Sequence, residues 1–127
     1  MAQLVTATGL KILFDPSDVV AVSDHDDAAD EMLTCVYGIN SGPLKISETV
    51  DDFLGRLDLT STFAKLTRPN LTPIWLRASA VTSIRPTLAG EYNSNARSVV
   101  SVGTFTQAVC EDLESAAAAI DTHRGKF

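Results

Sequence analysis

The feature that most constrains this chain is a repeat inside its 127 residues. At an offset of 62 without gaps, Ile12-Leu13-Phe14-Asp15-Pro16-Ser17-Asp18-Val19-Val20-Ala21-Val22 lies on Ile74-Trp75-Leu76-Arg77-Ala78-Ser79-Ala80-Val81-Thr82-Ser83-Ile84. Apolar residues coincide at the first three positions, at Val19 with Val81 and at Val22 with Ile84; Ser17 falls on Ser79 and, upstream, Leu4 on Leu66. After a change of six residues in the intervening loop, Ile46 to Leu57 is aligned with Val102 to Leu113, which sets Phe53 on Val109 and Leu57 on Leu113. The chain is therefore read as two similar modules, residues 1–61 and 62–127. A module of about 60 residues buries only about 60% of its unfolded surface by itself, and a shared core buries more. The expectation is an α+β fold, two small β-rich modules each closed by a helix, sharing one core in one compact unit.

Within each copy the hydrophobic period changes from two to about three and a half. Val5–Ala7, Lys11–Phe14, Val19–Val22, Met32–Tyr37 and Leu44–Ile46 read as strands, separated by turn residues at Gly9, Asp15-Pro16-Ser17-Asp18 and Asn40-Ser41-Gly42-Pro43. Thr49 to Leu57 then offers acids in its first turn and an apolar stripe at Val50, Phe53, Leu54 and Leu57, as a short amphipathic helix requires. In the second copy Phe63–Thr67, Ile74–Leu76, Val81–Ile84 and Ala96–Val102 are the strands. From about Thr104 the spacing of Phe105, Ala108, Val109, Leu113, Ala116, Ala117 and Ile120 predicts one longer helix.

Charge is divided unequally. Residues 1–61 hold eleven acids and three bases, a net of −8, and residues 62–127 hold five acids and seven bases, a net of +2. The overall −6 argues against a general nucleic-acid binder, while halves of opposite sign suit steering one copy onto another. The apolar runs are too short for a membrane helix, and the N-terminus lacks the basic and apolar regions of a signal peptide. A cytoplasmic or virion-associated protein is expected. Cys35 and Cys110 are read as buried thiols, since two cysteines in a chain able to bury a core are not a disulfide framework.

The densest polar cluster is Asp24, Asp26, Asp27, Asp30 and Glu31 around His25. It has neither the glycine nor the distal glutamate of a calcium-binding EF-hand loop. The leading reading is a solvated hairpin loop, the next an electrostatic contact for a basic partner, and the last a metal site. Ser23-Asp24-His25 is not a triad, because successive strand residues point to opposite faces. No phosphate-binding loop, dinucleotide fingerprint or zinc-spaced cysteine pair occurs. No cofactor, no metal and no enzymatic activity are expected. Arg68, Arg77, Arg85 and Arg97 form the competing basic contact patch, for the acidic face of another protein or for phosphates, with Trp75 and Tyr92 available to stack on bases.

Phe63-Ala64-Lys65-Leu66-Thr67-Arg68 followed by Thr72-Pro73-Ile74-Trp75-Leu76, then Val81-Thr82-Ser83-Ile84, resembles the opening and central strand of the short flagellar and swarming motility protein family. Lys45-Ile46-Ser47-Glu48-Thr49-Val50-Asp51-Asp52-Phe53 resembles that family's passage into its helix. Similar small modules are also familiar in bacteriophage accessory proteins. The resemblance implies small domains of several strands, an acidic turn and a closing helix. The functional expectation is a non-catalytic interaction or assembly protein of bacterial or phage origin, a homo-oligomer or the partner of another protein. The alternative is a nucleic-acid-binding accessory protein using the arginines of the second module.

Overall fold

A computed structural model describes residues 1–24, 34–39, 43–88, 90, 95–103 and 105–124. The chain divides into two compact units, Met1–Thr60 and Ser61–Phe127. In unit 1, β1 (Ala2–Val5) and β2 (Lys11–Phe14) form a hairpin, a 3₁₀ turn follows at Pro16–Asp18, then β3 (Ala21–Asp24), β4 (Thr34–Tyr37), β5 (Leu44–Ile46) and α1 (Val50–Arg56). In unit 2 the same order recurs as β6 (Phe63–Thr67), β7 (Pro73–Arg77), a 3₁₀ turn at Ala78–Ala80, β8 (Val81–Pro86), β9 (Ser98–Val102), β10 (Phe105–Val109) and α2 (Leu113–Arg124). The fold is α+β, two β-rich modules each closed by a helix, and the internal duplication is structural.

The duplication extends to the hydrogen bonds. In both hairpins the strand pairing is antiparallel with the same register: Leu4 faces Ile12 as Leu66 faces Ile74, 62 residues on. The turns match bond for bond. Thr6 N–H donates to the Leu10 carbonyl and Gly9 N–H to that of Thr6, as Arg68 N–H donates to Thr72 and Leu71 N–H to Arg68. This turn needs a positive φ, supplied by Gly9 (92°) in unit 1 and by Leu71 (70°) in unit 2. A side chain there strains the backbone, so the second hairpin is the costlier one. Gly38 meets a different demand, close approach. With φ at 110°, a Cβ on it would overlap the Asp18 carbonyl oxygen.

The ladders that follow are also antiparallel copies, β3 with β4 and β4 with β5 in unit 1, and β8 with β9 and β9 with β10 in unit 2. Ser23 faces Cys35 and Arg85 faces Val99, so β4 corresponds to β9 at an offset of 64. Thr34 faces Ile46 and Ser98 faces Val109, so β5 corresponds to β10 at 63. The helices follow at the same 63: the Thr49 hydroxyl accepts from Asp52 N–H at 3.1 Å, and the Asp112 carboxylate accepts from Ser115 N–H at 2.8 Å. Each is an N-cap that satisfies one orphan amide of its helix.

These registers correct the expected second helix. Residues 105–109 are the strand β10, and α2 starts only at Leu113. Val109 therefore matches Ile46 rather than Phe53, and Leu113 matches Val50 rather than Leu57. Val109 is buried as a strand residue, whereas Leu113, expected in the core, is 43% exposed. Cys110 follows the strand and is half-buried, not a helical core thiol. Cys35 is buried on β4, and neither cysteine is in a disulfide.

Inside unit 1 the Phe14 and Phe53 rings stack at 6.2 Å between centroids, 17° from parallel, and Val50 and Leu54 of α1 are buried as well. The equivalent places in unit 2 are Leu76 and Ala116, both buried, with Ile120 completing the helix face. Helix α1 ends in a Schellman-type stop, Leu59 N–H reaching back to the Leu54 carbonyl, with Asp58 at φ 58° where glycine is usual.

Candidate interaction surface

In an antiparallel pair, backbone groups alternate between pointing at the partner and pointing away. Because Thr6 and Leu10 share a hydrogen bond at the hairpin turn, Leu4 and Ile12 face each other while Gln3, Val5, Lys11 and Leu13 direct their N–H and C=O groups outward. The same reasoning turns Lys65 and Thr67 outward on β6. Outward groups on an open edge invite pairing with another chain unless something covers them.

On β1 and β6 something does. Arg56, from the last turn of α1, donates Nη1–H to the Gln3 carbonyl at 2.9 Å while Glu48 grips its guanidinium through two oxygens, Nε–Oε2 at 2.9 Å and Nη2–Oε1 at 2.8 Å. The guanidinium also lies 5.7 Å from the centroid of the Phe53 ring. Beyond it, Ala7 N–H donates to the Lys45 carbonyl. In unit 2 the glutamate at the matching position, Glu111, acts directly: its carboxylate accepts from Thr67 N–H and from the Thr67 hydroxyl, each at 3.0 Å. Cys110 N–H covers the Thr67 carbonyl at 2.8 Å.

β8 is covered differently. Thr87 N–H bonds to the Arg97 carbonyl, so Ile84 and Pro86 are the outward residues. Pro86 has no N–H, Arg85 Nη1–H donates to its carbonyl at 3.2 Å, and the ladder is irregular between Val81 and Ser83. Ile84 keeps an outward N–H and C=O.

β2 carries no such cover among the described residues. Beside its outward Lys11 and Leu13 lie three of the large apolar side chains that the fold leaves in water, Leu10 and Leu13 each 62% exposed and Val5 48%; Met1, Leu71, Leu88 and Leu113 are exposed elsewhere. A shallow pocket of about 290 Å³ opens next to them, lined by Thr6, Ala7, Leu10, Pro43 and Leu44 among others. In unit 2 the position matching Leu13 is Trp75, which is half-buried with the Lys65 ammonium 5.4 Å from its ring centroid.

Two further pockets lie among the described residues. A pocket of about 430 Å³ over Gln3 to Thr6 is floored by the Glu48 and Arg56 pair, whose charges are already engaged with each other. A second, about 260 Å³, is lined by Leu71, Asn95, Arg97 and Cys110. Burial first, then the Glu111 charge, pushes the Cys110 thiol above its usual value against the opposing pull of Arg97. It donates to the Arg68 carbonyl at 3.2 Å. A protonated, bonded thiol is a poor nucleophile. Among the described residues no group of three or more His, Cys, Asp or Glu side chains is placed to hold a metal ion, and no helix is long and apolar enough to cross a membrane.

Of the acidic cluster, Asp24 is half-buried at the end of β3, while Asp26, Asp27, Asp30, Glu31 and His25 lie outside the described residues. Tyr92 does so too. The four arginines do not form one exposed patch. Arg68 is 8% exposed, Arg77 is half-buried with its guanidinium 4.9 Å from the Phe63 ring centroid, and only Arg85 and Arg97 are exposed. The sequence reading missed the Glu48 and Glu111 edge covers, although aligning Ile46-Ser47-Glu48-Thr49 with Val109-Cys110-Glu111-Asp112 reveals them. No protein-family model, curated protein or solved structure matches this chain.

Proposed function

We propose that this chain is a non-catalytic interaction and assembly protein, of bacterial or phage origin, that associates with further copies of itself. The observation that carries this reading is the uncovered edge of β2 beside exposed Val5, Leu10 and Leu13, in a molecule that covers the edges of β1 and β6. An apolar rim beside outward backbone groups that nothing among the described residues covers gains most by burial against protein. The opposed net charges of the two halves add steering.

Light scattering over a wide concentration range, with a pull-down weighed as intact complexes, tests the reading. The expected result is a mass that rises with concentration. A monomer at every concentration and ionic strength overturns self-association. Tight binding of oligonucleotides, with a salt slope that falls in the Arg77→Ala, Arg85→Ala double variant, replaces it with the nucleic-acid alternative.

A further inference from the structure

The repeat itself indicates which surfaces meet. β7 is the copy of β2, and β3 is the copy of β8. Ala21, Val22 and Ser23 of β3 are fully buried, as are Ile74 and Leu76 of β7. The counterparts are less covered: on β8 Ser83 and Arg85 are exposed and Ile84 is half-buried, and on β2 Ile12, the copy of Ile74, is half-buried, while Phe14, the copy of Leu76, stays buried. Among the described residues, β2 and the Ile84 position of β8 are thus more open than their copies.

Resting on the self-association reading, we propose that the outer edge of β2 in one copy takes the outer edge of β8 in a second, joining copies head to tail. Net charge favours this choice at the level of the halves, β2 belonging to the half with net −8 and β8 to the half with net +2, whereas pairing β2 with another β2 sets two −8 halves together; on the edges themselves Lys11 and Arg85 are both cationic. The hydrogen-bonding groups agree as well. Lys11 and Leu13 each present an N–H and a C=O, and Ile84 presents both in return. Pro86 and the cover on its carbonyl keep the new ladder short, which fixes its register and keeps the contact weak. Because the two surfaces differ, the contact is heterologous and closes a ring or extends a filament.

The orientation of the outward groups supplies a clean test. Leu13→Pro and Ile84→Pro each delete an outward N–H while sparing the ladder to β1 or β9; Leu13→Lys and Ile84→Lys serve in case a proline prevents folding, with circular dichroism as the check. Sedimentation of each variant alone should show monomer, with the dissociation constant raised at least about tenfold. An equimolar mixture of the β2 and β8 variants should form a dimer and stop there, since each supplies the edge the other lacks. Wild-type association should weaken as salt rises. If the Ile84 variants still dimerise while the Leu13 variants do not, the contact is β2 with β2 and this assignment is wrong. If all variants associate like the wild type, the edges are not used, although self-association stands. A wild type that never associates defeats both readings.

Discussion

Unit 1 and unit 2 share strand order, hairpin register and turn bonding, yet they fill the frame in different ways. Unit 1 closes with seven helical residues and a stacked Phe14 and Phe53 pair; unit 2 closes with twelve and an alanine at the Phe53 position. One large ring under a short helix and a longer helix seated on Ala116 and Ile120 are two solutions to the same burial problem. The edge covers diverge likewise. Glu48 works through Arg56 to reach a carbonyl, and Glu111 reaches an N–H without an intermediary. A backbone frame fixes where a polar cap is needed and leaves open which side chain supplies it.

The sharpest break in the comparison is Phe53→Ala, which gives unit 1 the residue unit 2 already has but not the longer helix. Denaturant unfolding should show a loss of about 3 to 5 kcal/mol, from lost burial plus the cavity left against Phe14. Leu113→Ala, at the helix start of unit 2, should cost less than about 1 kcal/mol because that side chain is largely in water. Equal losses would mean that the assigned helix phases are wrong.

The glutamates come next. Glu111→Ala strands the part-buried Thr67 N–H and should cost about 1 to 3 kcal/mol, with Glu111→Gln recovering part of it. Glu48→Ala should cost about 0.2 to 1 kcal/mol, since its pair with Arg56 is more than a third exposed on the arginine side. A matching contrast lies on the middle strands. The Thr34 hydroxyl donates to the Glu48 carbonyl at 2.6 Å, while Ser98, its copy, is buried with no hydrogen-bond partner for Oγ among the described residues. Thr34→Val should lose about 1 kcal/mol, and Ser98→Ala should be neutral or slightly stabilising. A large loss at Ser98 would reveal a partner for that hydroxyl.

The hairpin turns should respond with opposite signs, Leu71→Gly gaining and Gly9→Leu losing up to about 1 kcal/mol, because relief of left-handed strain is partly offset by the greater freedom of unfolded glycine. The smallest effect is expected from acid. The backbone N–H of Ser115, followed by its hydroxyl, holds the Asp112 carboxyl below the ordinary carboxylate range. A lowered folded-state value means that its contribution is complete above the unfolded value, about pH 4, and fades as pH falls toward the folded one. Asp112→Asn keeps the cap and should flatten that part of the stability profile; an unchanged profile would remove Asp112 from the account.

Much of this frame was legible in the residues. The offset of 62 aligns the two hairpins and the two 3₁₀ turns, because a hairpin register tolerates no change in length, although the first strand is Ala2–Val5 rather than the expected Val5–Ala7 and the turn at Ala78–Ala80 is not among the expected elements. It failed beyond the loops. Phe105, Ala108, Val109, Leu113, Ala116 and Ile120 satisfy a helical period over their whole length, and nothing in that pattern reveals that Phe105 to Val109 complete a ladder with β9. The competing local sign was Asp112, a capping residue with a good helix behind it. The interaction surface was less legible still. Leu13 reads as one more strand apolar residue, and its exposure follows from what fails to cover β2, a fact about the rest of the molecule.

The nearest-neighbour pairing within each unit also bears on how the chain acquires its shape. Inside either unit, every ladder joins strands that are consecutive in sequence, β1 with β2, β3 with β4, β4 with β5, and likewise in the second copy. Loop closure then involves short segments and a modest entropic cost. The three ladders of the first unit and its capping helix are encoded before residue 61, so during synthesis they can form while the second copy is still being made. Ordering of the first unit is therefore expected to precede release of the chain, and a ribosome-stalled chain of residues 1–60 that stays protease-sensitive once clear of the exit tunnel would contradict this sequence of events.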